Sequence, residues 1–256
     1  MTHLAVSRSG SIETWALDRP AVRNALGPDL VAELRAALWR AEREGVRAVI
    51  LKGNGPSFCA GADLTYLQAC ARDARSARPF LTEICEFTID MESSGIVFIA
   101  ALHGHAVAGG LELALACDVV IAAAGTRIGD GHVRNNLLPG GGSSLRLPAK
   151  LGQGPAAWLG LSGELVTAED LLLSGWLHSV VSHEHLLETV MSLARTLIAL
   201  PAGAQRRFKT LLHEDADVTR ARLSRELDAF EAHWASADIA SSLGAFLTRT
   251  KELDSA

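Results

Sequence analysis

The sequence predicts an α/β fold whose last third turns helical. Three observations carry that reading. Short apolar runs of strand length, at residues 12–17, 48–51, 96–102 and 119–123, alternate with helix-forming segments, as a parallel sheet covered on both faces requires. Turn clusters punctuate them, among them Asp18-Arg19-Pro20 and Lys52-Gly53-Asn54-Gly55-Pro56. Beyond about Gly152, helical spacing prevails to the C-terminus.

In chain order, residues 12–17 read as a strand that Pro20 ends. Residues 28–44 carry Leu30, Leu34, Ala37, Leu38 and Ala41 on one helical face, with acids and arginines opposite, and residues 24–27 supply the start. The strand at 48–51 leads through a turn to Ser57–Leu64, where Asp63 is placed to cap a helix from Leu64. Residues 65–92 are poorly patterned. Strands at 96–102 and 119–123 flank a glycine-containing run. After Gly152, helices around 156–161 and 168–174 precede a short strand at 177–181. Residues 184–200, 203–213 and 219–237 read as helices, with Pro201 separating the first two. Without a linker or repeat, this is an α/β core over 1–195 carrying a helical region over 196–256.

Composition narrows the function classes. Hydrophobic residues at 48% against 21% charged give a 256-residue chain a sizeable core rather than disorder. A net charge of −5 argues against a broad nucleic-acid surface, so a polyanionic ligand would need local arginines or lysines. No apolar run approaches ~20 residues, so no membrane partner is expected. The N-terminus has no basic region followed by an apolar run, and the expected location is cytoplasmic. Cys59, Cys70, Cys85 and Cys117 lack paired spacing and read as buried free thiols in a reducing compartment; no metal is expected.

Two segments carry chemistry. His103–Asp118 follows a buried strand and contains Gly109-Gly110, which allow a tight turn and close approach of a ligand. The first amides of the helix that follows have no intrahelical partners and can donate to a ligand oxygen. Glu112 falls in its first turn among apolar neighbours, where burial raises a carboxyl pKa and the helix N-terminus lowers it, a balance suited to acid–base work. A plain tight turn followed by a helix-start acid fits the same residues. Ser57–Leu64 likewise follows a strand with small residues, and it reads equally as a close-packed strand–helix connection.

Together the segments resemble the enoyl-CoA hydratase/isomerase (crotonase) superfamily, which pairs an AGAD-type loop with a later glycine-rich loop. Leu17-Asp18-Arg19-Pro20…Asn24-Ala25-Leu26 resembles its N-terminal signature, and Pro139-Gly140-Gly141-Gly142…Arg146-Leu147 its Pro-Gly-x-Gly-Gly element. Leu161-Ser162-Gly163…Thr167-Ala168-Glu169-Asp170…Gly175 and Ala245-Phe246…Arg249 are similar to its later motifs. The resemblance spans almost the whole chain. It implies a spiral of repeated ββα units with a C-terminal helical oligomerisation region, assembled as a homotrimer or dimer of trimers. It implies an acyl-CoA thioester substrate, with coenzyme A entering only as part of that substrate and no separate cofactor. The amides of Ala62 and Gly109 become the implied oxyanion donors. The backbone around Ala60, Ala62 and Leu64 is implied in holding adenine, and Arg23 and Arg249 (the latter from a neighbouring helical tail) in holding phosphates. Asp63, Gly110, Asp130 and Phe246 complete the implied substrate-binding set.

One position departs from the family. Its hydratases grip water with two glutamates; the first corresponds to Glu112, but counting back from Pro139-Gly140 puts His132 at the second. Imidazole can act as acid or base near neutral pH, and in an extended segment Asp130 would share its face and orient the ring. His103 and His105 could line the pocket, and His183-Glu184-His185 reads as surface. The expected function is water addition to a 2-enoyl-CoA or an enoyl-CoA double-bond shift, with Glu112 as main base. Acyl-CoA hydrolysis, decarboxylation, or acyl-CoA binding with little turnover are the alternatives. A serine-type hydrolase using Ser143 or Ser144 is disfavoured, because neither sits in a nucleophile-elbow context.

Overall fold

The computed structural model describes residues 2–213 and 215–254, with side chains through residue 248. Strands β1 (Leu4–Ser9) and β2 (Ile12–Leu17) form a hairpin whose two-residue turn uses Gly10 at φ +64°. Only Leu4 of β1 is buried, and this edge strand shows no alternation of apolar and polar residues in the sequence. Helix α1 (Pro28–Arg43) starts with Pro at its first position and Asp29 in its first turn, both favourable there, and buries the expected face. Strand β3 (Ala48–Gly53) then pairs in parallel with β2, from Ile12 beside Ala48 to Leu17 beside Gly53.

The unpatterned stretch holds two helices, α2 (Leu64–Arg72) and α3 (Arg78–Ser93). Asp63 caps α2 as expected, its carboxylate accepting from the Thr65 and Tyr66 amides. In α3, Phe80, Leu81, Ile84, Cys85, Phe87 and Met91 are all buried, because the helix is enclosed between neighbouring helices. A helix buried on several sides has no clean amphipathic period, which is why this one was not legible.

The rest of the core repeats one pattern. A strand joins a large sheet, a strand joins a small sheet, and a helix follows: β4 (Val97–Leu102), β5 (His105–Val107) and α4 (Gly109–Leu115), then β6 (Val119–Ala123), β7 (Arg127–Gly129) and α5 (Ser143–Leu151). The earlier turn has the same form, with Cys59 bridging Ala106 of the small sheet after β3. Helix α6 (Gln153–Ser162), strand β8 (Val166–Thr167), helix α7 (Ala168–Leu171), strand β9 (Leu177–Val181) and helix α8 (Leu186–Ile198) complete it. The large sheet runs β1-β2-β3-β4-β6-β9, parallel except for β1; the small one runs β5-β7-β8.

Alternation along the central strands builds two cores. Val49, Leu51, Phe98, Ala100, Leu102 and Val120 face the main one, while Ala48, Ile50, Ile99, Ala101 and Ile121 face a smaller one covered by Leu186, Val190 and Ala194 of α8. Helix α8 therefore belongs to the sheet layers, and it ends at Ile198, within the 184–200 read as helical. The helices beyond Pro201 are α9 (Ala202–Leu212), α10 (Ala216–Ser236) and α11 (Ile239–Asp254). Buried Lys209 anchors α9, its Nζ donating to the Met91 and Ile96 carbonyls and to Asp118 at 2.8, 2.6 and 2.8 Å. Helix α10 packs on α3 and α11 on α2, which closes one side of a cavity.

Candidate active site

Two loops meet at the cavity wall because their backbones are laced together. The Cys59 amide donates to the His105 carbonyl at 3.0 Å, and the Val107 amide to the Cys59 carbonyl at 3.1 Å. Leu26 holds the first loop from the other side, donating to the Gly61 carbonyl and accepting from the Asp63 amide, each at 2.8 Å. Gly61 must be glycine: at φ +101° a Cβ would lie 2.9 Å from the Ala108 Cβ. Ala108 itself is held at φ 50°, ψ −121°, a strained conformation of the kind that marks functional turns. The result brings the Ala62 and Gly109 amides together: a Cβ on Gly109 would stand 3.3 Å from the Ala62 nitrogen. Both residues line the cavity, and among the described residues neither amide takes part in a hydrogen bond. Two such donors can share one ligand oxygen.

The N-terminal signature braces this wall. Asn24, fully buried, donates to the Asn54 and Ser57 carbonyls at 2.9 and 2.8 Å, fixing the loop that leads to Ala62. Arg19 bonds Asp63 at 2.9 Å. Asp63 thus spends its carboxylate on the helix cap and this ion pair.

Side chains supply a second part of the lining, Glu112 and His132. Glu112, in the first turn of α4, is 3% exposed; its Oε1 accepts from the Gly141 amide at 2.9 Å and the Ser143 amide at 3.0 Å. Its Oε2 lies 4.0 Å from His132 Nε2. Burial pushes the Glu112 carboxyl up to about 7, against the pull of the His132 charge and the Ser143 amide. The His132 ring is turned by Asp130, Nδ1 to Oδ1 at 2.9 Å. Burial alone would lower the imidazole, but the charge and hydrogen bond of Asp130, with help from Glu112, carry it to about 9. Burial would raise Asp130, and the His132 contacts outweigh it and hold that carboxyl below its usual range. The Ser143 hydroxyl is buried near Asp130, yet no hydrogen bond of ordinary geometry joins them.

This pairing does not arise as the sequence suggested. Residues 130–132 are not extended: Gly131 takes a left-handed φ of +68° and His132 opens a 3-10 turn through Asn135, so the turn folds the ring back onto Asp130. Asp130 stands behind the ring and does not line the cavity. Gly110 does not line it either; a Cβ there would fall inside the Cys59 carbonyl, so its role is close packing. His103 and His105 point elsewhere, to the Gly55 carbonyl at 3.0 Å and the Ser57 hydroxyl at 3.3 Å. Arg23, Ala60, Asp63, Leu64 and Phe246 do line the cavity, whose volume is about 510 Å³. The side chain of Arg249 lies outside the described residues.

Residues 7–253 match the sequence model of Enoyl-CoA hydratase/isomerase. The chain belongs to the enoyl-CoA hydratase/isomerase family. It is 32% identical over 254 residues to crotonyl-CoA hydratase of Syntrophomonas wolfei, covering 97% of this chain and 96% of the relative. It is 30% identical over 253 residues to 2,3-dehydroadipyl-CoA hydratase of Escherichia coli, covering 97% of each. Among solved structures, enoyl-CoA hydratase from Bacillus halodurans superposes with a TM-score of 0.87 at 25% identity, over 95% of this chain and 99% of that one. The spiral of strands and the C-terminal helices described above are this family's fold.

One residue of the site was not singled out from the sequence of this hydratase/isomerase member. Glu226 of α10 accepts from the Gly142 and Ser144 amides, both at 2.7 Å, and is 7% exposed. A signal existed: Glu226 falls within the helical stripe of Leu223, Leu227 and Phe230, which buries that face. Arg146 completes the support, pairing with both oxygens of Glu92 at 2.7 Å and donating to the Gly141 carbonyl at 3.1 Å.

Proposed function

We propose that the protein adds water across the double bond of a 2-enoyl-CoA. The observation that carries this reading is the 4.0 Å span between Glu112 Oε2 and His132 Nε2 in a cavity that is also lined by the two unpaired amides. The other carboxylate oxygen and the other ring nitrogen are already bonded, so the two free atoms are available to one water between them.

The thioester oxygen sits on the Ala62 and Gly109 amides, which stabilise charge as it develops there. Glu112 takes a proton from the bridging water as its oxygen bonds to Cβ. The π electrons move to the thioester as an enolate. Collapse of the enolate draws a proton to Cα from His132, kept cationic by Asp130. Proton transfer from Glu112 to His132 restores both groups, and the product carries one added water. A double-bond shift needs only one shuttling base; a second acid–base group close enough to contact the same water favours hydration.

Arg23, Ala60, Leu64 and Phe246 at the cavity are proposed to hold the CoA portion, with Arg249 toward its phosphates. A homotrimer or dimer of trimers is proposed from the exposed apolar side chains Leu161, Leu173, Phe208, Leu211 and Leu212, which a partner copy would cover. The cytoplasm is the proposed location; among the described residues no single helix is long and apolar enough to cross a membrane.

The test mixes purified protein with short and long trans-2-enoyl-CoAs and follows loss of the conjugated-thioester absorbance together with the product. The expected result is a 3-hydroxyacyl-CoA, with Glu112→Gln slowing turnover while substrate still binds. Tight binding without product, unchanged by that substitution, would leave an acyl-CoA-binding protein.

A further inference from the structure

The turn that opens α5 is shared between two carboxylates. Four consecutive amides point alternately to opposite sides: Gly141 and Ser143 donate to Glu112, and Gly142 and Ser144 donate to Glu226. Gly142 holds a φ of +111°, which only glycine adopts freely, and the turn it makes has a carboxylate partner on each side. Glu226 comes from α10, far along the chain, and contributes nothing to the cavity lining. We propose that Glu226 is a positioning residue for water addition, fixing the two amides that aim Glu112 and supplying a buried negative charge that tunes the Glu112–His132 pair. This rests on the hydration reading given above.

The charged and titratable surroundings of the pair are few. Glu112 faces His132, Asp130, Glu226, Arg146 and the Cys85 thiol of α3, which burial keeps protonated. His132 faces Asp130, Glu112 and Glu226. The charge of Arg146 is matched by Glu92, so Glu226 remains the carboxylate of this group without a bonded cation among the contacts described. Its negative charge opposes ionisation of Glu112 and favours the cationic form of His132, in agreement with the direction in which both groups are moved.

The test uses the full chain with Glu226→Gln and Glu226→Asp. In Glu226→Gln the imidazole titration of His132, followed by NMR, is expected to move to lower pH by about half a unit or more. Both limbs of its kcat–pH profile should move the same way, and kcat at the optimum should fall about tenfold while KM changes little. Glu226→Asp keeps the charge but shortens the reach, so its kcat should fall with the limbs where they are in the unmodified protein. That variant carries the test if the amide variant does not fold, and an unchanged kcat there would then overturn the proposal. Wild-type kcat and titration in Glu226→Gln would overturn it outright. Lost activity with an unmoved His132 titration would assign Glu226 a structural role and overturn it too. The NMR titration needs no turnover, so it separates failure of this inference from failure of the hydration reading.

Discussion

The two walls of the cavity are made of different material. The donors at one wall are main-chain amides, Ala62 and Gly109, set by where two loops cross and by glycines that let them approach. The other wall is made of side chains, Glu112 and His132, set by burial, by one another and by Asp130 behind the ring. In the proposed reaction, polarising the carbonyl thus falls to the fold, maintained by small residues whose exchange would disturb packing. The proposed course after polarisation falls to three side chains that can be exchanged while the loops stay put.

Four substitutions probe that contrast, from the largest effect on turnover to the smallest. Glu112→Gln removes the base without moving the loops, and kcat should fall on the order of 10³-fold with little change in stability. Gly109→Ala attacks the other wall by setting a methyl 3.3 Å from the Ala62 amide. It should cost about 10²-fold in kcat, the scale of losing one preorganised donor. Asp130→Asn leaves both walls standing but removes the charge that raises His132. Turnover should fall roughly tenfold, and the basic limb of the kcat–pH profile should move to lower pH. Gly110→Ala should act on stability instead: crowding the Cys59 carbonyl is expected to cost roughly 1–3 kcal/mol, read as a lower Tm, with activity retained at temperatures where the protein stays folded. If Gly110→Ala abolished turnover in folded protein, the division between the walls would break.

Much of the first wall was legible in the sequence. Glycines and small residues after buried strands mark close backbone approach; of the second wall, Glu112 stood out as an acid inside an apolar helix start. The strands at 12–17, 119–123 and 177–181 coincide with β2, β6 and β9; β6 is the clearest, because a buried parallel strand reads as a continuous apolar run. The second wall was harder to read. Asp130 and His132 meet through a left-handed glycine and a 3-10 turn, a geometry that alternation along an extended segment does not describe. Helix α3 hid its period by being enclosed, and β1 hid by exposing nearly all of itself. Glu226 lies 114 positions after Glu112 and shares a turn with it only through tertiary packing.

The central claim is that Glu112 and His132 together handle the protons of one water, and the kcat–pH profile of the unmodified protein and of His132→Gln tests it most directly. Glu112 must be ionised and His132 cationic, so the unmodified protein should give a bell that rises near 7 and falls near 9. In His132→Gln the falling limb should vanish, and the rising limb should move to higher pH because the positive charge that eased Glu112 ionisation is gone. A bell of unchanged shape and position in that variant would contradict the account.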